Sequence, residues 1–175
     1  MAYIQMGRFS FCIDRHEALI RNGIAEPAFN DLPAVGVSYE EALEACKKAG
    51  YRLCTRKEWT RACRGPKGKR FPYGDHWEPH RCNAIEAEDN PSEHSIRPSG
   101  SFPLCVTEEG VYDLSGNVWE WTSEADASGT LREIRGGSVH NGEEEAECEA
   151  EDRVFLPIQT KEGLHGFRCC ASPWR

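Results

Sequence analysis

The sequence predicts an α+β fold of two short helices, small sheets of short strands and long loops, stabilised by disulfides. Three observations predict it. Two capping-box phrases each precede a helical apolar repeat; 16 Gly and 10 Pro punctuate 175 residues; and nine Cys are present. That length fits one domain spanning residues 1–175.

The first helix starts at Ser38-Tyr39-Glu40-Glu41, where the Ser38 hydroxyl can accept from the Glu41 amide and the Glu41 carboxylate can reach back. Ala42, Leu43, Ala45, Cys46 and Ala49 then recur at helical spacing, and Gly50 supplies a left-handed stop. The second box is Thr55-Arg56-Lys57-Glu58, followed by Trp59, Ala62 and Cys63 on one face and ended by Gly65-Pro66. Strands are expected at Tyr3-Ile4 with Phe9 to Ile13, at Val118 to Thr122, at Leu131 to Arg135 and at Gly166 to Ala171. From Phe71 to Gly110 the chain reads as loop, with Pro at 72, 79, 91, 98 and 103, and a stretch this long needs a disulfide or a bound cation to pin it.

The formal charge of −8 argues against a nucleic-acid partner, and the chain lacks the ~18-residue apolar run of a membrane span. Met1 to Ser10 lacks the charged head and apolar block of a signal peptide. Nine Cys point the other way, to an extracellular or periplasmic address with structural disulfides; a cytoplasmic chain with reduced thiols, or a domain from a larger multidomain protein, is the alternative. The odd count leaves at least one thiol outside intrachain bridges, and the absence of CxxC weakens zinc-ribbon and thioredoxin-type readings. Charge is uneven: nine Lys/Arg lie between Arg52 and Arg81, and seven acidic residues lie between Glu143 and Asp152. The acidic run is either a solvated surface or the complement of the basic second helix.

Several phrases, taken together, resemble a known family. They are Pro33 to Ser38, Gly50 to Thr55 with Glu58-Trp59, Phe71 to Gly74, Gly110 to Trp121 (GVYDLSGNVWEW), Arg135 to Ser138 (RGGS) and Gly166 to Cys169 (GFRC). In this order they resemble the formylglycine-generating enzyme family, the sulfatase-modifying factors, from about Phe11 to Cys170. The resemblance implies a C-type-lectin-like fold with few regular elements, two helices, small antiparallel sheets and neighbouring termini. It also implies calcium, with Asp113, Gly116, Val118 and Glu120 as one ligand set and Asn83 with the Ala84 carbonyl as the start of another, Asp89 and Asn90 being possible additions. Carboxylates and turn carbonyls are the oxygen donors calcium takes, whereas ordinary Asx turns account for Asp113 and Asn117 without a metal.

The family's disulfides imply Cys46–Cys169 and Cys63–Cys148. Of the cysteines left, a Cys82–Cys105 bridge would pin the long loop and Cys12–Cys170 would join the terminal strands, with Cys54 unassigned.

Oxidase members convert a substrate cysteine to formylglycine with oxygen and copper(I), a soft ion suited to two thiolates. The family places those thiolates three and eight residues after the Ser of GGS, where this chain has Asn141 and Ala146, and only Cys148 lies between Ser138 and Cys169. This argues against copper, and Glu147 and Glu149 should hold Cys148 as a thiol if it is free. The leading expectation is therefore a non-catalytic, calcium- and disulfide-stabilised module that binds a peptide or protein near Trp119, Ser138, His140 and Asn141. The alternative is an oxidoreductase-type enzyme of the same superfamily acting on a cysteine or sulfur substrate through other residues or a partner domain. A purely structural domain is the third class. His76 and His80 read as exposed loop residues, because Pro79 disfavours a helix through that pair.

Overall fold

The computed structural model describes residues 1–86, 89–151, 153–161 and 163–173. Asp152, the end of the acidic run, lies outside the described residues.

Both predicted helices form where their caps place them. α1 (Tyr39–Lys48) carries the full Ser38/Glu41 box, and the chain leaves it through Gly50 at φ 83°. α2 (Arg56–Arg64) carries the Thr55/Glu58 box and ends at Gly65, φ 62°. Satisfying two of the four orphan amide donors at each start fixes both boundaries by local chemistry. A third helical turn, α3 (Glu143–Ala146), lies within the acidic run.

The strands form three small sheets. β1 (Ala2–Met6) and β2 (Phe9–Ile13) make an N-terminal hairpin; β10 (Cys169–Ala171) adds to β2, and β5 (Arg52–Leu53) completes the order β1-β2-β10-β5, all antiparallel. The first and last strands of the chain are thus joined in one sheet. The second sheet is the β3 (Ala18–Arg21) and β4 (Ile24–Pro27) hairpin around Asn22-Gly23. Both turn residues have positive φ, 53° and 75°, as a two-residue primed turn requires. The third sheet has the order β8-β7-β6-β9, from β6 (Trp119–Ala125), β7 (Leu131–Arg135), β8 (Val154–Pro157) and β9 (His165–Gly166). Two points differ from the expectation. The segment Gly166 to Ala171 is not one strand but two pieces in different sheets, and β9 pairs β6 in parallel rather than antiparallel. The physical reason is Arg168, whose side chain turns into the interior between the two pieces and is 1% exposed.

Two apolar clusters fill the interior. Trp59, Ala62 and Cys63 of α2 pack with Ile4, Phe11, Ile13, Val111 and Leu114. Ala42, Ala45 and Cys46 of α1 pack with Leu53, Trp121, Ile134 and Phe167. Four disulfides tie these together: Cys46–Cys169, Cys54–Cys170, Cys63–Cys148 and Cys82–Cys105. The first three span 123, 116 and 85 residues, and closing loops of this length lowers unfolded-chain entropy by about 4–5 kcal/mol each in the chain-entropy account. The fourth crosses the long loop, whose described part holds one 3-10 turn, Pro91–Glu93.

The expected Cys12–Cys170 bridge is corrected by strand register. Antiparallel pairing sets Cys170 opposite Ile13 and Ala171 opposite Cys12. Cys170 therefore shares the face of Ile13, inside the core with Cys54, while Cys12 alternates to the other face and is free. Cys148 is likewise no thiol, because it is bonded to Cys63.

The basic and acidic segments face each other. Arg64 of α2 pairs with Glu149, and Arg70 pairs with Glu143 at 2.8 Å and with Glu147.

Candidate functional site

The residues that make the motifs recognisable meet at one buried place. Arg168, from the GFR phrase, is fully buried and grips Glu120 of the GNVWEW phrase with a fork: Nη2 donates to Oε1 at 2.6 Å and Nε to Oε2 at 2.7 Å. Trp59 of α2 donates its indole Nε1–H to the same Oε2 at 2.7 Å. Arg168 also donates to the carbonyls of Asp14 (3.1 Å) and Tyr112 (2.9 Å). Burial alone would lower the Arg168 pKa; the Glu120 charge and hydrogen bonds more than offset this and raise it.

Three further carboxyls surround this pair. Burial pushes Glu17 well above the usual carboxylate range, and the neighbouring Asp113 and Glu120 charges push the same way. Asn117 answers with its Nδ2, donating to both Glu17 oxygens at 3.0 and 2.8 Å. Asp113 is raised chiefly by burial, although its Oδ2 accepts from Ser99 Oγ (2.9 Å) and the Gly100 amide (2.7 Å). Asp14 is also raised by burial, and its Oδ2 accepts from the Cys169 amide.

The glycines of the motifs serve the same packing. Gly116, at φ 78°, sits so close to the Asn83 carbonyl that a Cβ would come within 2.4 Å of its oxygen. Gly136, at φ 94°, lies against the Trp59 ring, over which the Arg135 guanidinium stacks at 5.4 Å.

This geometry bears directly on the proposed cation ligands. Both Glu120 oxygens accept hydrogen bonds from Arg168, and Trp59 donates to one of them as well. The Asn83 Nδ2 donates to Asn117 Oδ1 (2.8 Å) and to the Ser95 carbonyl, and the Asn83 carbonyl accepts from the Asn117 amide at 2.7 Å. Asp89 Oδ2 accepts from the Glu86 amide and lies 3.0 Å from His94 Nε2, and Asn90 caps Ser92. A cation at Glu120 would therefore have to displace the Arg168 fork. Among the described residues no group of three or more His, Cys, Asp or Glu is arranged to hold a metal.

The four groove residues divide. Ser138 donates its Oγ–H to Asn141 Oδ1 at 2.7 Å, and its amide donates to the same oxygen at 3.0 Å, closing a tight turn. His140 is exposed at the tip of that turn, and its amide donates to Ser138 Oγ at 3.3 Å. Trp119 is half-buried against the second core cluster. Among the described residues no hydrogen bond or ring contact links Trp119 to the other three. The Ser138 hydroxyl proton is committed to the Asn141 amide oxygen, which is not a base. His76 and His80 are exposed loop residues.

Sequence reasoning missed the Glu17–Asn117 and Arg168–Glu120 contacts. The signal for the latter was an Arg between Phe167 and Cys169, two residue types usually buried.

Comparisons with known proteins identify the family. The profile of the Sulfatase-modifying factor enzyme 1-like domain matches residues 12–173. The mouse protein named Inactive C-alpha-formylglycine-generating enzyme 2 is 34% identical over 159 residues, which cover 83% of this chain and 51% of that protein. The Formylglycine-generating enzyme of Thermomonospora curvata is 30% identical over 186 residues, covering 81% of this chain and 56% of the relative. The chain thus spans about half the length of these curated relatives. PvdO from Pseudomonas aeruginosa superimposes with a TM-score of 0.71 at 21% identity, over 93% of this chain and 80% of that one, which shows a shared fold. With its motifs interlocked around Arg168 and Glu120 and its profile match spanning nearly the whole chain, the protein belongs to the formylglycine-generating enzyme, or sulfatase-modifying factor, family.

Proposed function

We propose that the chain is a non-catalytic member of this family, working as a peptide- or protein-binding module in an oxidising compartment. The observation that carries the reading is the fate of Cys148. It is the only cysteine between Ser138 and Cys169, and it is bonded to Cys63. Two thiolates for copper(I) are then not available after the RGGS turn, and that turn is spent on the Ser138–Asn141 hydrogen bonds. The name of the mouse relative, which includes the word inactive, supports the same direction.

The ligand-facing surface in this reading is the 138–141 turn, where exposed His140 and half-exposed Asn141 offer polar contacts to an extended chain. Calcium is not needed to hold the fold in this reading, because the Arg168 fork already neutralises Glu120. The second reading, an enzyme completed by a partner domain, is favoured by one fact: the chain covers only about half of its curated relatives.

The test uses the disulfide-intact protein and a fluorescent peptide bearing Cys-Thr-Pro-Ser-Arg, followed by anisotropy. Saturable binding that survives Cys→Ser in the peptide and weakens in His140→Ala and Asn141→Ala supports the module. Loss of all binding on that peptide change, or an unaltered affinity in both protein variants, contradicts it.

A further inference from the structure

The outer face of α2 forms one wall of a groove of about 710 Å³, with residues 149–151 and Arg153 opposite and Arg135 among its lining residues. The helix turns Glu58, Trp59, Ala62 and Cys63 inward, so its basic residues are left on the groove side. Most of the cations there have partners. Arg61 is held by Glu109 through two bonds of 2.9 and 2.7 Å, and Arg64 by Glu149.

The exceptions are Arg56 and Lys57, together with the half-satisfied Arg135. Arg56 has no acidic partner among the described residues, and it acts on Arg135 as a like charge. Arg135 is 7% exposed and shares a single buried carboxylate, Glu133, with Arg153, at 3.2 and 3.1 Å. Its Nη2 donates to the Cys148 carbonyl, but its Nε–H is buried with no acceptor among the described residues. A buried donor left unpaired costs about 1–3 kcal/mol, so this one is poised to gain from an anion. Against this stands one acid without a partner among the described residues, Glu151, exposed on the rim.

We propose that this groove binds a phosphate or sulfate monoester, its oxyanion gripped by Arg56 and Arg135. Planar guanidinium donors converging from a helix and from strand β7 suit an anion whose oxygens point in several directions. The volume lies within the range of small-molecule sites, which leaves room for the organic part of an ester beside the oxyanion. This site stands apart from the 138–141 turn, so its failure leaves the preceding reading untouched.

The experiment titrates the disulfide-intact protein, at physiological salt, with inorganic phosphate, inorganic sulfate, phenyl phosphate and phenyl sulfate, reading arginine Nε–H resonances by NMR. A saturable shift of the Arg135 Nε–H signal is expected, with an ester binding more tightly than its inorganic ion. Arg56→Gln, a half-buried change at the first turn of α2, should weaken binding about tenfold, the equivalent of one charge-assisted hydrogen bond. Arg21→Gln, on the remote β3 strand, should leave it unchanged. No saturable shift with any probe, or equal weakening by Arg21→Gln, overturns the site. Ester binding no tighter than that of the free ion overturns the assignment to a monoester.

Discussion

Replacing Arg168 with Met should be among the most damaging single substitutions in the chain. Met keeps much of the volume but removes the only cation that touches Glu120 among the described residues. The variant leaves Glu120, 1% exposed, with the Trp59 indole alone, and leaves the carbonyls of Asp14 and Tyr112 without their donors. It also removes the positive charge that opposes burial at Asp14, Glu17 and Asp113. Breaking a buried pair from one side costs about 3–5 kcal/mol, because the partner charge stays behind. For a chain of this length a kilocalorie corresponds to about 2–4 °C, so the melting temperature should fall by roughly 6–20 °C. The assay is thermal and urea denaturation with disulfides intact. The companion variant is Glu120→Gln/Arg168→Met, which removes both charges and should recover a substantial part of the loss. A single variant within about 1 kcal/mol of the parent, or a double variant no better than the single, would refute the view that charge pairing holds this hub together.

Other outcomes follow from the same geometry. Glu17→Gln should stabilise the protein at neutral pH. The folded carboxyl titrates above its unfolded value of 4.5, so its contribution to stability is greatest below that pH and is lost as pH rises toward the folded value. The difference between variant and parent should therefore grow with pH above about 4.5, and a pH-independent difference would sink the argument. His16 lies between Phe29 and Tyr112, both rings at 4.9 Å, and burial with the Arg168 and Arg15 charges pushes its imidazole down to about 4. Its NMR titration midpoint should lie there, and a midpoint near 6.5 would count against the stacked, neutral ring. A non-reduced digest should yield the four bridges with Cys12 alone alkylated, whereas a Cys12–Cys170 peptide would contradict the strand register. Chelation with EGTA should leave the melting temperature within about 1 °C if the Arg168 fork occupies Glu120, and a drop of several degrees would assign calcium to that turn.

What could be read from the sequence follows the range of the forces involved. The helices were legible because Ser38 with Glu41 and Thr55 with Glu58 complete their capping bonds within four residues. The β3–β4 hairpin carried its signal in Asn22-Gly23, but Ala18–Arg21 and Ile24–Pro27 lack the strict alternation that marks a strand. Strand β8 and the short β5 are set by tertiary pairing with β7 and β10, which no local pattern encodes. The Cys63–Cys148 bridge, implied by the family resemblance, fits the basic helix and the acidic run that it brings together. The partner of Cys54 depended on a one-residue register across β2 and β10, and a shift of one residue exchanges the faces. At the site, the distance in sequence between Glu17 and Asn117, or Glu120 and Arg168, hid the buried hub. The groove residues were placed from the RGGS turn alone, and Trp119, on β6, packs elsewhere.

The most direct test is a single incubation of the disulfide-intact protein with copper(I), oxygen and a Cys-Thr-Pro-Ser-Arg peptide, followed by mass spectrometry. With Cys148 tied to Cys63, the peptide cysteine should come through unchanged. Conversion of that cysteine to formylglycine at catalytic turnover would mean that this member retains the family's chemistry by another route.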